Sequence, residues 1–567
     1  MLVVTAAVPA LVASSHASLA ESAARDDAVV QVLGLGAAGP WRSLGAVVAA
    51  PLMLLPLGTR VTRGCLASAL GSGLACCLVY FIAKSLAAMS ARAPRIGAVV
   101  AAIAALTVGL SGAWQMEGAA VGGATLGALV ILAPLAIVLA RGALRSFAVG
   151  FAVGLAFSYD PLSGLTAAAA PLVLLASHWK AFAARQRLEL LGGLLLGLTP
   201  LLYAALRRDA DLFFVSEAGP GSSVAAAVAF APRELGAFMT LLALAGAALT
   251  SLGRASRPLA LALIASSGVG LLSVGLGSRH GPLGYDAPGL AALGALAALS
   301  AVTMQWIVRA VLRLNVPLAG ASAAMVVVLL TTFPVLSFDD ALRRIEARPN
   351  TTPLFEDVAW GDLPDRSVLL VGEPRLLSRV NAARSAGEFR EDLLVVPMGN
   401  APIASLTRLL ALEPALRPLY RDLVIGAEPD EWALSSLASS RRLALPFQPA
   451  WPRPLVRHQV PAGLLSLFQP EPRGAGERRG ALLASADGRS HLLQRLASAA
   501  DPALVPLTRD LLLERALALA SVGERDLASD TLAEIRLLVP GDVRARALES
   551  RIASSRGAID VKDLLGP

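Results

Sequence analysis

"SLGAVVAAPLMLLPLG", Ser43 to Gly58, is the stretch on which the membrane topology turns. It is apolar throughout, yet shorter than the roughly 20 residues a helix needs to cross a bilayer. It contains Pro51 and Pro56, and Arg60 and Arg63 follow at once. Counted as a span, it would throw the arginines of every later loop to the far side of the membrane. Read as a helix lying in the outer interface, it joins a long first external loop, 14–63, and five successive later loops alternate in charge.

Spans are expected at about 1–13, 64–83, 96–113, 119–140, 144–158, 163–177, 188–206, 236–253, 258–277, 288–308 and 318–337. One set of intervening loops carries Lys84, Arg92 and Arg95; Arg141 and Arg145; Lys180, Arg185 and Arg187; Arg254 and Arg257; and Arg309 and Arg313, with no Asp or Glu among them. The alternate set carries Glu21, Asp26, Asp27, Glu117, Asp160, Asp209, Asp211, Glu217, Asp286, Asp339 and Asp340. Short loops rich in Lys and Arg face the cytoplasm. About eleven spans with the N-terminus inside therefore place the acids, and everything after the last span, outside. For a bacterial inner membrane that side is the periplasm.

Composition agrees. The 567 residues are 55% hydrophobic and 16% charged, against about 25% charged in ordinary globular chains. Long Ala/Leu/Val/Gly runs extend from Leu44 to Ser337, and ordinary charge density begins at Phe338. The division expected is a polytopic α-helical membrane domain, 1–337, then an α/β domain, 338–470, then a linker and helical tail, 471–567. The net charge of +8 rests on arginine, with lysine only at 84, 180 and 562. No basic face with interleaved aromatics is present, so no nucleic-acid partner is expected. Cys65, Cys76 and Cys77 share one apolar segment, which implies neither a disulfide framework nor a thiolate metal site. The first segment lacks a basic flank. A signal peptide ending near "HASLA" is one reading; a spanning helix shortened by a misplaced start codon is the preferred one.

Several stretches carry a family resemblance. The long external loop ends in "LLPLGTRVTRGCLASALGSGLACCLVY", Leu54 to Tyr80. Further on come "GAWQMEGAAVGGATLGAL", "GLAFSYDPLSGL", "TPLLYAALRRDAD", "GYDAPGLAALGAL" and "LPDRSVLLVGEPRLLSRVNAARSAGEFREDLLVVPM". Together, from Pro9 to about residue 470, they resemble the bacterial membrane proteins called domain of unknown function 2723, related to non-classical protein O-mannosyltransferases of the endoplasmic reticulum. The resemblance implies a GT-C-type fold that takes a sugar from a polyprenyl phosphate on the outer face. The family's Gly-Asp-Ser-Gly-Glu sequence, with its presumed catalytic Asp, falls on Ser14 to Ser18, where both carboxylates are absent. Of its His-Pro-Pro-Gly-Tyr-Pro stretch only Pro40 survives, its glutamate falls near Gly122, and its later histidine falls on Asp160.

Sugar transfer to a hydroxyl needs a base for the acceptor proton and cationic donors for the leaving phosphate. The first external loop offers Glu21, Asp26 and Asp27 as bases, or else as solvated loop acids. Substrate-binding candidates are His16, Arg42, Glu117, Asp160, Arg207, Arg208 and Tyr285. Arg207 and Arg208 lie outside, against the positive-inside pattern, and suit a donor phosphate, or pair with Asp209 and Asp211. Asp160, before Pro161, equally suits a helix cap, and Glu117 beside Trp114 an interfacial anchor.

Beyond the membrane, "RSVLLVGE" and "DLLVVPM" read as buried strands, with "DLVIG" and "GLLSLF" as two more. "QPEPRGAGERRG", Gln469 to Gly480, reads as a linker, and the segment from Leu507 resembles a single tetratricopeptide-type repeat able to meet a protein partner. The function expected is a membrane glycosyltransferase, active or catalytically degenerate, using a polyprenyl-phosphate sugar and membrane lipid, with no metal and no cofactor beyond the lipid-linked donor. The alternative is a non-catalytic scaffold for envelope glycan or protein assembly. An ion-coupled carrier fits less well, because no charge lies well inside an expected span.

Overall fold

The computed structural model describes residues 2–13, 44, 48, 51–52, 54–56, 60–90, 94–120, 123–140, 145–178, 184–206, 223–254, 256–276, 285–314, 319–346, 351–386, 389–398, 403–425, 429–499, 504–555 and 557–565. The chain divides into two compact units, Met1–Ala347 and Arg348–Pro567.

The first unit is a polytopic α-helical membrane domain. Its helices are α1 (Leu2–Ala13), α2 (Arg60–Ser90), α3 (Pro94–Gly109), α4 (Gly112–Gly118), α5 (Thr125–Leu139), α6 (Arg145–Tyr159), α7 (Pro161–His178), α8 (Ala184–Gly197) and α9 (Thr199–Leu206). They continue with α10 (Val224–Leu235), α11 (Ala237–Leu252), α12 (Arg257–Gly275), α13 (Ala287–Leu312), α14 (Ala319–Leu330) and α15 (Thr332–Glu346). Among the described residues, four helices are long and apolar enough to cross a membrane: within α2, α12, α13 and the run Ala319–Glu346. Counting each of two bent pairs as one span makes six. The eleven expected spans are therefore not all full-length helices: Leu2–Val12, Thr125–Leu139 and Pro161–Leu174 are shorter apolar helices. Most of Ser43–Gly58, the expected interfacial segment, lies outside the described residues.

α13 is the axis of this unit. Its sequence is small and apolar on every side, and 89% of its apolar window is buried, as expected of a helix with no polar face. Asp286 caps it, accepting from Gly289 N at 2.9 Å, and Pro288 sits in the first turn, where a missing N–H costs nothing. Helices α2, α3, α5, α11 and α12 pack around it. The expected span 96–113 is instead broken near its end, and the expected span 236–253 forms one helix, α11, that is bent sharply from the helix before it. α3 and α4 meet at 63°, and α10 and α11 at 107° about Gly236, whose φ of +82° suits glycine alone. Both breaks matter for the site below.

The second unit holds a five-stranded sheet: β1 (Val368–Val371), β2 (Leu394–Pro397), β3 (Leu443–Leu445), β4 (Gln459–Ala462) and β5 (Leu465–Phe468). The order is β2-β1-β3-β5-β4, parallel across β2, β1 and β3 and antiparallel beyond. "RSVLLVGE", "DLLVVPM" and "GLLSLF" supply β1, β2 and β5. "DLVIG" does not form a strand. It ends a helix, Arg417–Ile425, because Leu416 and Leu419 are buried at helical spacing with Tyr420 beside them.

The expected linker Gln469–Gly480 is also corrected. A helix starts at Ala475 inside it, and Arg478 is 2% exposed. The Arg478 guanidinium donates to the Gln459 and Arg457 carbonyls and pairs with Glu524. Arginine, not apolar surface, ties this segment to the sheet. The tail helices, Leu504–Ser521, Arg525–Leu538 and Val543–Ser554, share one apolar core with the sheet through Leu369, Val371, Leu511 and Leu517.

Glu514, on the helix Leu504–Ser521, has its carboxyl pushed up to about 8 by burial and by neighbouring Glu373 and Asp510, against the pull of Arg544. A carboxyl whose folded value lies above its ordinary 4.5 binds its proton more tightly when folded. The stability this contributes is complete below pH 4.5 and drains away as pH rises to about 8. Glu514→Gln, which mimics the protonated form, is expected to leave stability unchanged near pH 5 and raise it by about 2–4 kcal/mol near pH 8. Hydrogen exchange of the Leu504–Ser521 amides across this range checks it; equal protection of both proteins at pH 8 would contradict the assignment.

Candidate functional site

Several buried polar residues of the membrane unit lie at the breaks between its helices. α4 is only Gly112–Gly118, but it carries three of them in one turn and a half. Trp114 is fully buried and donates from Nε1 to the Leu290 carbonyl at 3.2 Å, fixing α4 to the start of α13. Glu117, also fully buried, accepts from Ala124 N at 2.9 Å and from Tyr285 N at 3.2 Å. It therefore straps the segment before α13 to the start of α5. Gln115 donates to the carbonyls of Ala6 and Gly109, at 3.0 and 2.6 Å, closing the other side of the same turn onto α1.

A buried charge contact lies beside this turn. Glu234, last but one in α10, has a side chain with no solvent exposure. Arg344 of α15 donates from Nη1 to both of its oxygens, each at 2.8 Å. Ala113 N, in the first turn of α4, donates to Glu234 Oε2 at 3.3 Å. The second Arg344 terminal nitrogen donates to the Arg233 carbonyl at 3.1 Å and pairs with Asp340 at 2.8 Å. Arg344 keeps 22% of its side chain exposed, and Arg233, 3.6 Å from Glu234, keeps 71%. The sequence reading missed both members of the pair. Glu234 precedes a break that composition does not mark, and Arg344 lies beyond the expected end of the last span.

Tyr285 completes the arrangement. Its ring lies 6.4 Å from Phe230 of α10, and its backbone N–H donates to Glu117 at 3.2 Å. Burial, then the nearby Glu234 charge, holds its phenol above the ordinary value of 10, opposed by Arg344 and Arg233. Tyr285 and Glu117, separate candidates in the sequence, are thus brought together around an ion pair.

Asp160 stands apart. It accepts from Ser163 N at 2.8 Å and from the Ser163 hydroxyl, the cap of a helix with Pro161 in its first position. Asp286 likewise accepts from Ser273 Oγ at 2.6 Å. Glu21, Asp26, Asp27, His16, Arg42, Arg207 and Arg208 lie outside the described residues. Among the described residues no group of three or more His, Cys, Asp or Glu side chains could hold a metal ion.

The chain resembles solved structures, two of which are of one protein. ArnT from Cupriavidus metallidurans bound to undecaprenyl phosphate matches at 16% identity and a TM-score of 0.49, covering 78% of this chain and 92% of that one. The same protein in the apo state matches at 17% identity and a TM-score of 0.48, covering 77% and 90%. Likeness of this degree assigns neither substrate nor activity. No family model and no curated protein matches the chain.

Proposed function

We propose that the membrane unit is a GT-C-type glycosyltransferase that takes a sugar from a polyprenyl phosphate on the outer, periplasmic face and transfers it to a protein or envelope hydroxyl. The observation that carries this reading is the Arg344 guanidinium held on Glu234 beside Tyr285 and the exposed Arg233, where two helices break. A fixed cation with a phenol next to it suits the phosphate of a lipid-linked donor. In the reaction the acceptor oxygen bonds the anomeric carbon and the sugar–phosphate C–O bond breaks. The electron pair leaves on the polyprenyl phosphate, and the acceptor proton passes to a carboxylate.

One of Glu21, Asp26 and Asp27 is assigned as that base, with His16, Arg42, Arg207 and Arg208 on the donor. In full-length protein reconstituted in liposomes, Asp26→Asn, Asp27→Asn or Glu21→Gln is expected to lower transfer from a polyprenyl-phosphate sugar about a hundredfold. Undiminished transfer in all three removes the assignment.

One observation favours a second reading, a non-catalytic scaffold whose C-terminal helices meet a protein partner. The described carboxylates Glu117, Asp160 and Asp286 all accept backbone N–H bonds that brace helix ends. Wild-type protein that transfers no sugar under the same conditions favours the scaffold.

A further inference from the structure

Three successive helices of the second unit present arginine and large apolar side chains to the outside. Helix Ile403–Leu412 carries Arg408 and Leu412 four residues apart, and helix Arg417–Ile425 carries Arg417, Arg421 and Ile425 at the same interval. Each set therefore lines one face of its helix. All five side chains are exposed, Leu412 at 68% and Ile425 at 64%. Beneath them, Leu406, Leu416 and Leu419 enter one core with Leu434 and Leu437 of helix Glu431–Ser440, so the two exposed faces look away from the same core. The Thr407 and Tyr420 hydroxyls, 2.9 Å apart, pin the first two helices side by side. Asp430 N donates to Asp422 at 3.4 Å and brings in the third helix, with Trp432 68% exposed in its first turn.

Charge on this hairpin is one-sided. Its two helices contain one acid, Asp422, which is half-buried and accepts the bond from Asp430 N. Glu413, between them, is buried and paired with Arg441. Among the described residues no ion pair involves Arg408, Arg417 or Arg421.

A lone exposed leucine needs no explanation. Arginines without acid partners, set among an exposed Leu, Ile and Trp, have the composition of a helix surface that lies on an anionic bilayer. Guanidinium groups meet the lipid phosphates, the apolar side chains enter between headgroups, and the indole sits at their level. The chain also brings that partner with it. The apolar run Ala319–Glu346 ends shortly before Thr352, where the first helix of the second unit begins, a tether of at most about 20 Å. So short a tether keeps the face at high effective concentration near lipid, and contacts too weak to recruit a free protein are then enough.

We propose that this face, with Arg408, Arg417 and Arg421 as its charges and Leu412, Ile425 and Trp432 as its apolar contacts, docks the second unit on the anionic phospholipid headgroups of the bilayer that the chain crosses. The docking is independent of whether the membrane unit transfers sugar.

Hydrogen exchange of the full chain in nanodiscs, one chain per disc, tests it. The discs are made of phosphatidylcholine alone or of equal parts phosphatidylcholine and phosphatidylglycerol. Amides of Ile403–Leu412 and Arg417–Ile425 are expected to exchange about fivefold more slowly in the anionic disc, with β1 and β2 unchanged. Sodium chloride at about 1 M, where the screening length falls to about 3 Å, is expected to remove most of the difference. The triple variant Arg408→Gln, Arg417→Gln, Arg421→Gln is expected to exchange alike in both discs. Ile425→Ser with Trp432→Ser is expected to lose about half of the slowing. All five positions are exposed, and wild-type exchange of β1 and β2 in each variant shows that the fold is kept. Equal exchange of the wild type in the two discs, or an undiminished difference in the arginine variant, overturns the proposal. Slowing by soluble polyglutamate but not by phosphatidylglycerol assigns the face to an acidic protein instead, and slowing that follows protein concentration rather than lipid charge assigns it to a second copy; either overturns it too.

Discussion

Gly193→Leu is expected to separate α6 from α8 and leave little folded protein, whereas Gly192→Leu, one residue earlier, is expected to melt like the wild type. The two glycines differ only in what they face. A Cβ at Gly193 would lie inside 3.0 Å of the Phe147 carbonyl oxygen and the Phe151 nitrogen, closer than real Cβ atoms come. At Gly192 a Cβ meets nothing within 4 Å.

The same close approach repeats along the pair. Gly150 faces Leu190 and Leu194, Gly154 faces Leu194 and Gly197, and Gly197 faces Phe151 and Leu155. Rising numbers match rising numbers, so the helices run parallel, with α7 returning between them. Ser158 Oγ locks the end by donating to the Gly197 carbonyl at 2.8 Å. Inside a bilayer, helices gain nothing by hiding apolar surface from lipid. Association rests on backbones packed closely through small residues. Ordinary overpacking costs about 1–3 kcal/mol. Here the obstacle is helix backbone that cannot rotate aside, so the cost at Gly193 lies above that range. Thermal unfolding and gel filtration in detergent give the comparison; similar melting of the two variants would show that the glycine contact is not the basis of this pairing.

Gly463→Ala is the second large effect expected, and it strikes the other unit. Gly463 and Leu464 form the two-residue turn between β4 and β5, with Ala462 paired to Leu465. Gly463 has φ +57°, the conformation that a hairpin of this kind asks of its first central residue. Any side chain there bears a backbone cost of roughly 1–2 kcal/mol. It also meets a wall, since the added Cβ would collide with the Val358 carbonyl oxygen. That carbonyl accepts from Leu464 N at 3.3 Å, and the Gly463 carbonyl accepts from Arg515, which is fully buried. Shifting the turn breaks both bonds. Burial already pulls the Arg515 guanidinium down to about 10, so losing this acceptor leaves a buried donor unsatisfied, a change worth about 1–3 kcal/mol. Circular dichroism and hydrogen exchange of the β4 and β5 amides check the result. Wild-type protection in Gly463→Ala would mean the turn has room that its neighbours do not show.

Much of the membrane unit could be read from local chemistry. Apolar runs bounded by arginine mark helices at α2, α12 and α13, since a peptide chain in lipid must satisfy its own hydrogen bonds. "YDAPGL" begins α13 with an acidic cap and a first-turn proline, and "YDPLSG" begins α7 the same way. β1, β2 and β5 were visible as short Val/Leu runs. In each case the deciding interactions span a few residues, and spacing along the chain reports them.

The candidate site was not visible in that way. Glu234 and Arg344 are 110 residues apart, and neither sits in a pattern that names the other. Only the fold bends α10 away from α11 at Gly236, turns α4 across the end of α3, and extends α15 past the expected boundary, so that the two charges meet. Arg478, Arg489 and Arg515 make the same point in the second unit: arginines that look like surface residues in a charged sequence are each 3% exposed or less. A guanidinium can enter a core when carbonyls and carboxylates from distant segments converge on it. Helix ends and membrane runs follow from neighbours in the chain, whereas a buried charge depends on partners that only folding delivers.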